Sequence, residues 1–124
     1  MKPLITVIAM LGAVALASQA SAEQKFQKLT GAQIEAKLAG MELTDESHWG
    51  EVFGRNGTLA ITSMGHKSAG KWRVRKDQLC LDTGEAPGGG CYEVWISGKS
   101  VELRNRDSGL PLEGALQKPT GARW

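Results

Sequence analysis

The sequence predicts a mainly β fold: an antiparallel meander of about six or seven short strands, with one short N-terminal helix and one disulfide. Such a meander forms a small curved sheet or a partly closed barrel, with a flat sandwich as the alternative. Three observations predict it. Between Gly70 and Arg104, three apolar-rich runs are each bounded by turn residues. Asn56-Gly57, the strongest short hairpin signal, separates two further strand-like runs. The only two cysteines, Cys80 and Cys91, both fall within such runs.

The first residues read as an export signal. Lys2 supplies a positive charge, Leu4 to Leu16 is almost wholly apolar, and Ala20-Ser21-Ala22 is a small-x-small cleavage site. The apolar run is shorter than the roughly 20 residues that span a bilayer. The expectation is a signal peptide over 1–22, a periplasmic or secreted protein, and no transmembrane helix after processing. Residues 23–104 then form a single β-rich domain. Residues 105–124 hold three Gly and two Pro and are expected as a poorly ordered tail.

Charge narrows the partners. The chain has 15 basic and 13 acidic residues, so losing Lys2 leaves a net charge near +1. That balance gives no reason to expect nucleic acid. Two cysteines 11 apart in an exported chain are most simply one disulfide, with a metal pair or two free thiols as rivals. The spacing excludes CxxC redox chemistry.

The elements follow in order. Glu23 to Leu29 is polar and reads as a loose lead-in. Thr30 and Gln33 then form a capping box, with Leu29 and Ile34 as the hydrophobic staple. The helix spans Gly31 to Ala39, presents Ile34 and Leu38, and ends at Gly40. Too short to stand alone, it must dock on the sheet as a plug or lid. Met41 to Leu43 starts the sheet. Trp49 to Phe53 and Thr58 to Met64 pair across Asn56-Gly57. Gly65 to Gly70 reads as a loop. Lys71 to Lys76 alternates strictly, with Trp72 and Val74 on one face. Leu79 to Leu81 and Cys91 to Ile96 flank a loop rich in Gly and Pro. Directly opposite positions on these two strands suit a Cys80–Cys91 bond. Leu79, Leu81 and Tyr92 then share one face, and the cysteines, Glu93 and Trp95 the other, where Trp95 is either half-exposed or packed under the helix. Ser100 to Arg104 returns with Val101 and Leu103 inward.

One stretch carries a resemblance. GKWRV, LCLD, CYEVW and SGKSVELR, with LTGAQIEAKLAG and the NGTL hairpin, resemble small exported domains of unknown function from Gram-negative, especially alphaproteobacterial, proteins. The shared pattern is G-x-W, then L-C, then C-x-x-V, over Leu29 to Arg104. The resemblance implies a miniature lipocalin-like fold and an envelope location. It transfers no catalytic residues.

No catalytic constellation stands out. The chain has no G-x-S-x-G elbow, no Walker A sequence and no Rossmann glycine pattern. Gly88-Gly89-Gly90 lacks the Lys-Ser/Thr that a phosphate cradle needs. His48 and His66 are the two possible general bases or metal ligands, but their spacing implies no shared partner. Lys67, Lys71, Arg73 and Arg75 form a candidate anion-binding face, which Glu93 and Glu102 on neighbouring strands would be placed to neutralise. Trp49 and Trp95 are candidate pocket aromatics, while Trp72 reads as core. The expectation is a non-enzymatic periplasmic binding or accessory module without cofactor or metal, acting on an unknown envelope protein or small molecule. The alternative is a small metal-dependent or hydrolytic enzyme using His48 and His66.

Overall fold

The structure, a computed structural model, describes residues 25–107 and 109–121 together with Gly12. The signal peptide expected over 1–22 lies, Gly12 aside, outside the described residues. Those residues form β1 (Gln27–Lys28), α1 (Gly31–Leu38), β2 (Glu42–Thr44), β3 (Trp49–Phe53), β4 (Thr58–Ser63), β5 (His66–Arg75), β6 (Gln78–Asp82), β7 (Gly90–Ser97), β8 (Ser100–Arg104) and β9 (Leu112–Gln117).

From β2 onward each strand pairs antiparallel with the next, and β9 returns to pair with β2. The result is a closed eight-stranded barrel with every barrel strand paired on both sides. β1 is an added strand. It pairs with β7 at Ile96 and Trp95, beyond the stretch of β7 that pairs with β6.

Three expectations change. Residues 105–124, expected as a loose tail, instead supply β9, which closes the barrel. Gly114 hides this strand in the sequence because glycine weakens a strand pattern. Here a side chain would be crowded: an added Cβ would lie 3.0 Å from Leu43 Cδ1, 3.1 Å from the Thr44 carbonyl oxygen and 3.2 Å from Trp49 Cη2. The lead-in before the helix supplies β1, too short to show alternation. The loop expected over Gly65 to Gly70 is mostly strand. The turn sits instead at Met64 and Gly65, both with positive φ (50° and 82°).

The helix follows its sequence signals closely. Thr30 Oγ1 accepts the Gln33 amide at 3.3 Å, and Gln33 Oε1 accepts the Thr30 amide at 2.9 Å. Ile34 and Leu38 are fully buried. They plug the barrel end where β3 finishes, and the Gly40 amide donates to the Phe53 carbonyl there. Gly40 has φ +79°, the left-handed conformation that suits glycine after a helix.

Alternation fills the interior. Leu43, Phe53, Leu59, Leu79, Val94, Val101 and Leu103 are essentially inaccessible to solvent. Trp72 packs edge-on against Phe53, with ring centroids 5.5 Å apart, and its indole N–H donates to the Gly54 carbonyl at 2.8 Å. This satisfies the one polar atom that a buried tryptophan brings.

Cys80 and Cys91 are bonded and directly opposite in register, with Cα atoms 4.0 Å apart. They lie on the outer wall, back to back with Leu79, Leu81 and Tyr92.

Candidate functional site: a cavity inside the barrel

The end of the barrel away from the helix is not filled. A cavity of about 280 Å³ lies where β3 begins and β4 ends. Trp49, Glu51, Ile61, Ser63, Leu103 and Leu112 line it from four strands. Ala86, Pro87 and Gly88 cover it from the loop between β6 and β7.

That loop is fixed at several points. Thr83 Oγ1 donates to the Ala86 carbonyl at 2.7 Å, and the Ala86 amide donates to the Thr83 carbonyl at 3.1 Å. Tyr92 Oη, rising from β7, donates to the Gly88 carbonyl at 2.9 Å. The Cys80–Cys91 bond closes the base of the same loop. The loop rich in glycine and proline is thus a tethered cover.

Glu51 is the unusual lining residue. On β3 the alternation Trp49, Glu51, Phe53 aims all three side chains inward. Register places Leu43 on one side of Glu51 and Ile61 on the other. Glu51 is 9 % exposed. Among the described residues its carboxyl has no hydrogen-bond donor and no cation. A buried charge without a partner is costly, and burial accordingly raises this carboxyl from 4.5 to about 7. The Tyr92 phenol is also pushed up, by its own burial and by the nearby Glu51 charge.

The other candidate residues lie apart from this cavity. Trp95 is on the outer wall, where the Arg104 guanidinium stacks 4.1 Å above its ring and its N–H reaches Glu93 at 3.3 Å. His48 is exposed, with Nδ1 2.9 Å from Asp45 Oδ2. Partial burial pushes the Asp45 carboxyl up. The amides of His48, Ser47 and Trp49, with the His48 ring, outweigh that and hold it well below the usual carboxylate range. His66 lies at the start of β5, opposite Ser63, and is exposed. Neither histidine lines the cavity. Among the described residues no group of three or more His, Cys, Asp or Glu could hold a metal ion.

The basic row has no ion-pair partner among the described residues. Lys67, Lys71, Arg73 and Arg75 point outward along β5 and are exposed. Glu93 binds Lys28 at 3.0 Å and Glu102 binds Arg104 at 2.8 Å, so neither reaches the row. Lys28 holds the Glu93 carboxyl down, against a smaller upward push from burial. Lys71 and Arg73 border a depression of about 580 Å³ beside the disulfide. This hollow is larger than the barrel cavity but lies outside the wall, among exposed side chains such as Asn56, Thr58 and Asp82.

Glu51 was legible in principle. In Trp49-Gly50-Glu51-Val52-Phe53, strict alternation puts the acid between two aromatics on the apolar face. The cover was not legible, because Ala86 to Gly88 approach the cavity only after the barrel has closed. No family model, curated protein or solved structure matches the chain.

Proposed function

We propose that this protein is a small ligand-binding barrel of the bacterial envelope, non-enzymatic and working without a cofactor. The observation that carries the reading is the covered cavity beside Glu51, left open in a barrel whose other end is plugged by Ile34 and Leu38. Apolar walls with a few placed polar groups are what small-molecule sites share. Its volume, at about 30 Å³ per water-sized group, holds a compact ligand of about nine such groups. Leu112 at the rim is 37 % exposed, an apolar surface that a ligand would cover. The disulfide is consistent with an oxidising, exported location. The likeness to small exported lipocalin-like domains points the same way.

Calorimetric titration of the full chain with benzyl alcohol and other one-ring aromatics tests the reading. Saturable one-to-one binding is expected, and Leu112→Trp, which fills the rim, should weaken it about tenfold, since about 1.4 kcal/mol separates decades of affinity. Absence of binding by every one-ring probe, or binding untouched by Leu112→Trp, would count against it.

A further inference from the structure

We infer that the cavity takes a small organic cation, a protonated amine on a compact apolar body, with Glu51 as its counterion. The inference rests on the ligand-binding reading above and names the ligand class for that site.

Glu51 is flanked by apolar side chains. Its register neighbours Leu43 and Ile61 offer no donor. The lining of the cavity includes no Lys, Arg or His. Ser63 is the one hydroxyl of that lining, and among the described residues it makes no hydrogen bond to Glu51. The Tyr92 hydroxyl on β7 is already spent on the Gly88 carbonyl. Among the described residues, therefore, this carboxyl stands in a mostly apolar chamber with no hydrogen bond or cation made to it. An ammonium group arriving with a ligand would make charge-assisted hydrogen bonds, the strong kind, where water competes little.

The rest of the chamber suits the remainder of such a molecule. Ile61, Leu103 and Leu112 give an apolar body its contacts. Trp49 adds an aromatic side chain to the lining, and aromatic rings attract both cations and other rings. A carboxylate ligand would instead face a like charge, and a neutral alcohol would leave the ionised Glu51 poorly compensated.

Charge also sets the direction of the pH response. Glu51 must be ionised to pair with an ammonium. Since burial raises its carboxyl to about 7, amine affinity rises with pH through neutrality and falls below it. Tyr92 stays protonated across this range, because its phenol is shifted up.

The test uses three probes of one size, benzylamine, benzyl alcohol and benzoate, titrated calorimetrically into the full chain at about pH 8. Benzylamine should bind at least about tenfold more tightly than benzyl alcohol, a difference of about one charge-assisted bond. Benzoate should bind least. Glu51→Gln should abolish the amine preference while keeping benzyl alcohol binding. In the unaltered protein, benzylamine affinity should fall about tenfold or more between about pH 8 and about pH 5, a series that needs no variant to fold. Equal binding of amine and alcohol, tighter benzoate, or a preference that survives Glu51→Gln would overturn the cation assignment and leave the cavity reading standing. Failure of all three probes to bind would overturn both.

Discussion

Asp77 Oδ1 accepts the backbone amide of Gly31 at 2.6 Å, joining the first turn of α1 to the β5–β6 hairpin. Asp77 itself sits at φ +58°, beside Lys76 at φ +49°. A short polar residue tolerates that left-handed conformation better than most, and its carboxylate satisfies a donor that the helix leaves free. Asp77 thereby holds the plug in the barrel end.

The first prediction follows from that contact. Asp77→Ala loses the acceptor and keeps the unfavourable φ, so it should cost about 1–2 kcal/mol, the size of a lost helix cap. Asp77→Asn retains both properties and should cost much less. Urea denaturation of the two variants checks this, and equal costs would show that the hydrogen bond contributes nothing.

The second prediction concerns acid and base. The Glu51 carboxyl is raised in the folded protein, so the folded state holds this proton more tightly than the unfolded chain. Between about pH 4.5 and about pH 7 the unfolded state binds fewer protons here, and stability from this group falls as pH rises. Full ionisation should remove roughly 3 kcal/mol by about pH 8. Glu51→Gln should flatten that part of the profile, read as the difference in unfolding free energy between the two proteins. Parallel profiles would mean that Glu51 is not buried as described.

A third expectation joins the staple to the cover. Replacing Cys80 and Cys91 with Ser frees the base of the 82–90 loop. Chain-entropy reasoning gives a loss of about 3 kcal/mol. Probe binding in the cavity should weaken as well, because Ala86, Pro87 and Gly88 are positioned by that loop. Thiol titration of the denatured, unreduced protein should find no free thiol.

The basic row provides a fourth. Lys71, Arg73 and Arg75 are exposed, and among the described residues none has an ion-pair partner. Changing all three to Gln should therefore alter stability by less than about 0.5 kcal/mol each. A larger loss in thermal unfolding would reveal a structural role for the row.

Local chemistry was readable from the chain, and closure was not. Thr30, Gln33 and Gly40 announce α1, because caps act within a turn. Asn56-Gly57 announces one hairpin, and alternation places Trp72, Leu79 and Tyr92 inward. Register across the 80–91 hairpin gives the disulfide. By contrast, β9 is interrupted by Gly114, whose use is apparent only when Leu43 and Trp49 stand against it. Trp49 and Trp95 look alike in sequence, yet one lines the cavity and the other lies under Arg104 outside the wall. Glu51 followed the alternation rule, but an acid on an apolar face becomes a site only once the space beside it is known to be empty.

The pairing of β2 with β9 sets when this molecule can become itself. Hairpins such as β3–β4 join near neighbours and form in about 1–10 μs. The seam joins Leu43 to Leu116, nearly the whole domain apart, and such distant pairings are slow because chain closure precedes their reward. Synthesis delivers β9 last. Until Gln117 has emerged, β2 and β8 both present bare edges, and an edge left bare invites other chains. Before that pairing the strands make an open sheet, and the β2–β9 seam alone closes it into a barrel.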